Sequence, residues 1–263
     1  MHFVYNVDNG GGGLEHLNCQ TSMLPRWNYA DPTKYKSFLG LIAHEYFHLW
    51  NVKRIRPIEL GPFDYNKEVY TDMLWIAEGI TSYYDDFTLF KTGYYTEEEY
   101  LKIIAGQINR YENTPGKNVM SLSESSRLAW VKSYMPKENS VNTEVSYYNK
   151  GMIVATLLNL TIIKSTNGKK SLDNVMQSLY ARYKKLGTGF TYEEFLAICN
   201  KEAGADLSSF FALHLNSTKP LDYNAVFSNF GLRLTDENSE KKSVYSGASS
   251  KLDGGKVLIT SIK

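Results

Sequence analysis

Residues His2–Val7 alternate and are β-prone, which predicts a short strand running into the glycines at 10–13. A strand so near the start is expected to pair with a segment upstream of it. From residue 32 to about 50 the hydrophobic period lengthens. Phe38, Leu39, Ile42, Ala43, Phe47 and Trp50 then fall along one broad face, as in a helix packed on a core. A connection over 56–65 holding Pro, Gly and Asp precedes a second helix, expected from about 71 to 91 and stopped at Gly93. Thr96 and Glu99 make a capping box for a third helix, through Tyr111. Segments 113–117 and 137–142 read as loops. A strongly apolar helix over 147–163 closes at Asn167 and Gly168. Further helices are expected at 171–186, from the Thr191/Glu194 capping box to Ala203, and at 207–215.

Past Pro220 the pattern changes. Residues 226–234 and 256–262 read as strands, separated by a polar stretch rich in Ser, Lys and Glu. A last strand with no partner cannot form a sheet alone, so both ends read as cuts through a longer protein. The expected architecture is α+β and mainly helical. A small N-terminal mixed sheet would occupy about 1–31 and a helical part 32–220, with 221–263 a linker and the start of another unit.

Composition narrows the function classes. With 43% hydrophobic and 22% charged residues the chain reads as an ordinary globular protein. A net charge of +1 gives no electrostatic reason to expect nucleic acid or an anionic membrane as partner. No apolar run is long enough to span a bilayer. No export signal is visible, which leaves a bacterial cytoplasm and a periplasm both open. Cys19 and Cys199 match no metal or redox spacing and read as free thiols.

The candidate chemistry lies in the first long helix. His44-Glu45-Tyr46-Phe47-His48 is an HExxH match, and positions i and i+4 share a helical face, so two imidazoles can converge on one ion. Glu45 stands beside that ion, where it can take a proton from water. A catalytic zinc needs a third protein ligand and an open position. Glu78, in the next helix, has apolar neighbours along the chain and so needs a charge partner. Glu59 and Glu68 are the competing carboxylates, but both fall in or near a connecting loop. Lys53, Arg54 and Arg56 follow the helix, where cations are favourable in any protein. Acceptors for the ligand imidazoles are expected among Asp72, Thr81, Ser82 and Asp85, and His214 reads as structural.

HEYFHLWNVKRIRP at 44–57, LWIAEGITSYY at 74–84 and GGLEH at 12–16 together resemble the PDZ-containing glycyl aminopeptidase family of gluzincins. More distantly they are similar to the aminopeptidase N family. The resemblance implies a thermolysin-like catalytic domain with one Zn²⁺ on His44, His48 and Glu78. It also implies that Glu15, flanked by Gly12 and Gly13, anchors a substrate's free amino group. His16 stands where the relatives carry Asn. The segment Ser146-Tyr147-Tyr148-Asn149-Lys150-Gly151 matches the relatives' oxyanion-binding tyrosine motif, which places Tyr148 in that role with Tyr147 as alternative. Residues 255–263 resemble the first strand of a PDZ domain, and the family's N-terminal β-domain has no counterpart in the chain. The implied activity is removal of small N-terminal residues such as Gly or Ala from peptides with a free N-terminus. Two other readings fit the same residues. One is a zinc endopeptidase, the other a peptide-binding protein with a vestigial zinc site.

Overall fold

The computed structural model describes residues 1–237, 248–253 and 256–262, the last two stretches as backbone alone. The segment expected to link residue 237 to the final strands lies outside the described residues.

Three strands open the chain: β1 His2–Val7, β2 Gly12–Glu15 and β3 Gln20–Pro25. They form one mixed sheet in the order β1-β3-β2, with β1 parallel and β2 antiparallel to β3. The strand expected at 2–7 is present, and among the described residues it pairs with β3 downstream. The glycine run between β1 and β2 permits this, since Gly10 and Gly12 take positive φ values of 90° and 133°. β2 thus becomes a sheet edge, and the helix α1 Pro32–Phe47 packs across β2 and β3. Asp31 starts that helix by accepting from the backbone N–H groups of Thr33 and Lys34, with Pro32 at its first position.

The helical body follows as α2 Ile80–Lys91, α3 Glu97–Glu112, α4 Leu122–Arg127, α5 Ser140–Thr143 and α6 Tyr147–Ser165. It continues through α7 Leu172–Leu186, α8 Tyr192–Ala203, α9 Ser208–Asn216 and α10 Tyr223–Phe227. Helix α6 is its axis. Residues Met152, Val154, Ala155, Leu157 and Leu158 are all buried, because neighbours cover the helix on several sides. The second helix differs from expectation at its start. Residues 71–73 are not helical, and Trp75–Gly79 form a single π-helical turn that leads into α2.

Residues 226–234 are not the expected strand. Asp222 caps α10 by accepting from the Ala225 N–H, and Gly231 closes the following turn at φ 71°. Leu221, Tyr223 and Phe227 are buried in the same core as α6, so the apolar residues after Pro220 complete the helical body. Strand β4 Ala248–Asp253 pairs antiparallel with β5 Lys256–Ile262. The last strand is therefore present, and it has a partner inside the stretch expected to be polar connection. Among the described residues no helix is long and apolar enough to cross a membrane. Both cysteines are free.

Candidate metal centre

Helix α1 sets the His44 and His48 rings one turn apart, with centroids 4.7 Å from each other. The inner nitrogen of each ring is occupied. His44 Nδ1 lies 2.9 Å from Asp85 Oδ2, and His48 Nδ1 lies 2.6 Å from the carbonyl oxygen of Asn51. Both partners are acceptors, so each Nδ1 carries a proton and each Nε2 is left to present its lone pair. Glu78 Oε2 sits 3.2 Å from His44 Nε2 and 3.3 Å from His48 Nε2. Three electron-rich atoms aimed at one spot require a cation.

Without a metal, a proton serves. Burial lowers the His44 pKa, but the hydrogen bonds to Asp85 and Glu78 outweigh it and raise the group to about 10. Burial likewise opposes ionisation of Glu78, yet the two imidazoles hold its carboxyl down at about 2. A metal ion taken up here displaces that proton, so metal affinity rises with pH. Two imidazoles and one carboxylate are a donor set suited to zinc, and acceptors behind both rings are what such a site needs to hold its ligands in one tautomer. Asp85→Asn should therefore weaken zinc binding by about 10–100-fold. Competition with a chromophoric chelator measures this, and an unchanged affinity would contradict the role given to Asp85.

Asn51 ties the two ligand-bearing segments together. It is fully buried. While its carbonyl takes His48, its side-chain Nδ2 donates to the carbonyls of Ile76 (2.8 Å) and Ala77 (3.3 Å) and to Thr81 Oγ1 (3.1 Å). These bonds fix the π-helical turn that carries Glu78 against the end of α1. On its other side this turn meets α6 almost backbone to backbone. A Cβ on Gly79 would lie 2.5 Å from Gly151 Cα, so only glycine fits there. That close approach brings the first turn of α6 to the metal centre, where the Tyr148 ring stacks on His44 with centroids 6.2 Å apart.

Glu45 lies on the sheet side of the two histidines. It is only 5% exposed, and its Oε2 has no hydrogen-bond partner among the described residues. Burial raises its pKa above the ordinary carboxylate value. The edge strand β2 runs so close that a Cβ on Gly13 would fall 2.3 Å from Glu45 Cγ. Gly13, Glu15, His44, Glu45, His48, Glu78, Asp85, Tyr134 and Tyr148 line one cavity of about 530 Å³. Next to it, and sharing Glu78 and Tyr134, lies a more apolar cavity of about 890 Å³ walled by Phe63, Tyr65 and Trp130.

Of the residues proposed from sequence, Gly13, Glu15, His44, Glu45, His48, Glu78 and Tyr148 are thus brought into one place. Of the candidate acceptors, Asp85 reaches His44. Thr81 supports Asn51, while Asp72 pairs with Arg127 on the surface at 3.3 Å. Glu59 accepts from Thr71 Oγ1 instead of meeting the histidines. Arg54 and Arg56 donate to the backbone carbonyls of Leu17 and Lys53, a structural use. His214 is buried and bonded to the Phe210 carbonyl at 2.7 Å. Three features were missed: Asn51 as the tie, Tyr134 at the junction of two cavities, and the contact of Lys53 with Glu15. The first had a signal in the sequence, a polar residue directly behind the HExxH helix. The others depend on long-range packing.

The model of the M61 glycyl aminopeptidase family matches residues 37–154. That stretch holds both histidines, Glu45, Glu78, Asp85 and Tyr148. Over that stretch the chain is similar to the M61 glycyl aminopeptidase family. Among solved structures, the chain is similar to an aminopeptidase N family protein from Idiomarina loihiensis, at 33% identity and a TM-score of 0.88. The alignment covers 99% of this chain and 48% of that one, so the chain spans about half the length of this relative. No curated protein matches the chain.

Proposed function

We propose that this chain carries a zinc-dependent peptidase centre of the thermolysin-like kind, working as an aminopeptidase on small N-terminal residues such as Gly or Ala. One observation carries the reading. A Glu78 oxygen lies within 3.3 Å of both imidazole Nε2 atoms, beside a buried Glu45 oxygen with no hydrogen-bond partner among the described residues. A structural zinc site has no use for such a base, whereas a hydrolytic one requires it.

Zinc held by His44, His48 and Glu78 would supply Lewis acidity, acidifying water and polarising a peptide carbonyl. The chain's own residues do the rest. Glu45 accepts a proton from the attacking water and returns it to the departing amine, and its raised pKa suits both halves of that task. The Tyr148 hydroxyl donates to the oxygen on which negative charge develops. Glu15 receives the substrate's ammonium group, and edge strand β2 offers the peptide a backbone to lie along.

The test pairs metal analysis with two substrates. Zinc-loaded protein should bind one equivalent of metal and hydrolyse alanyl-alanine amide at least tenfold faster than its N-acetylated form. Equal rates on the two would make the protein an endopeptidase. One equivalent of zinc with no hydrolysis of either would leave only a binding function.

A further inference from the structure

Glu15 does not stand alone at the end of the cleft. Lys53 Nζ lies 3.0 Å from Glu15 Oε1, and the two side chains are only 30% and 20% exposed. The pairing follows from the fold. Lys53 sits in the tight turns that leave α1, where its N–H reaches back to the His48 carbonyl. Strand β2 packs on α1 and delivers Glu15 from the other side. A carboxylate half withdrawn from water needs a counter-charge, and Lys53 supplies it from within the protein. The two other basic residues of this turn behave differently, because Arg54 and Arg56 bond to backbone carbonyls.

We propose that Lys53 is a specificity-determining residue, setting how strongly the site prefers a substrate with a free amino group. This rests on the aminopeptidase reading given above. One oxygen of Glu15 already carries an ammonium, so a substrate's ammonium must share the carboxylate with a like charge. Two cations on one carboxylate repel, and the low exposure of the pair limits the water that could screen them. Lys53 thereby caps the binding that a free amine gains over an uncharged N-terminus. It acts through Glu15 and touches no reacting atom. A lysine is suited to this part because its compact ammonium on a flexible stem can give ground to an incoming amine without leaving the carboxylate.

The experiment compares alanyl 4-nitroanilide with propionyl 4-nitroanilide, which differ only by the amino group, on zinc-loaded wild type, Lys53→Met and Lys53→Arg. Apparent affinity is read as KM, or as Ki where turnover is absent. Lys53→Met should tighten the alanyl compound about three- to tenfold, leave the propionyl compound within about twofold, and change kcat little. Lys53→Arg should restore the wild-type ratio. On a Glu15→Gln background, Lys53→Met should have no effect on the ratio, as the double-mutant cycle requires. An unchanged ratio in Lys53→Met overturns the proposal. So does a ratio that falls, since Lys53 would then only be holding Glu15 in place. Should Lys53→Met be misfolded by circular dichroism, Lys53→Gln takes its place with the same expected outcome. Wild type that hydrolyses nothing refutes the aminopeptidase reading itself, a result distinct from an active wild type with an indifferent Lys53.

Discussion

Glu45→Gln is expected to keep its zinc and to lose about 10²–10⁴-fold in kcat. The substitution changes almost no volume in a pocket already formed by Gly13 and β2. Glutamine can occupy the place of Glu45 without disturbing His44 or His48, whose positions are fixed by Asp85 and Asn51 instead. What it removes is a group that can take a proton and give it back. The carboxylate is well placed for this because its Oε2 has no hydrogen-bond donor among the described residues. A buried acceptor left unpaired costs stability, and such a cost persists where another function needs the atom free. The variant should therefore be at least as stable as wild type to heat, bind one equivalent of zinc, and be almost inert. Thermal unfolding, metal analysis and single-turnover kinetics check the three claims separately. Full activity with normal zinc would assign proton transfer to another group. Lost zinc would show that Glu45 helps to hold the ligands.

The two histidines were legible because a helix converts a four-residue spacing into a shared face, whatever packs around it. Capping boxes such as Thr96/Glu99 and Thr191/Glu194 were legible for a similar reason: both partners lie within one turn, and both boxes are present. Glu78 could be chosen over Glu59 and Glu68 because a carboxylate among apolar neighbours demands compensation. The start of that second helix was not legible. Residues 71–73 carry no strong breaker, and the π-helical turn arises from contacts with Asn51 and Gly151 that are distant in sequence. Apolar positions at 226–234 misled for a different reason. Val226, Leu232 and Leu234 suggest alternation, but a strand needs a partner, whereas the surface of α6 was available to cover a short helix. Lys53 is the most instructive case. Its neighbours on a helix end justify a cation by local electrostatics alone, so nothing local separates it from Arg54. Only the sheet crossing α1 tells them apart.

Tyr148→Phe should lower kcat by about 10²–10³-fold while leaving zinc content, KM and stability close to wild type. Deleting one oxygen leaves the ring stack on His44 intact, so the loss reports the hydroxyl rather than packing. Burial foremost, and then the nearby charge of Glu78, raises the Tyr148 pKa above that of free tyrosine. The phenol thus stays protonated at any working pH, as a donor to a developing oxyanion must. Its neighbour is the more deeply buried of the two. Tyr147 is 3% exposed, and its hydroxyl donates to Tyr134 at 3.4 Å. Tyr147→Phe should accordingly cost less than about tenfold in kcat, by loosening Tyr134 at the mouth of the cleft. Measured side by side with zinc-loaded protein, the two variants discriminate between Tyr148, which the resemblance favours, and its alternative Tyr147. If Tyr147→Phe were the crippled one and Tyr148→Phe turned over normally, the oxyanion would have to lie on the side of the cleft towards Tyr134. The stack of Tyr148 on His44 would then serve only to hold a metal ligand in place.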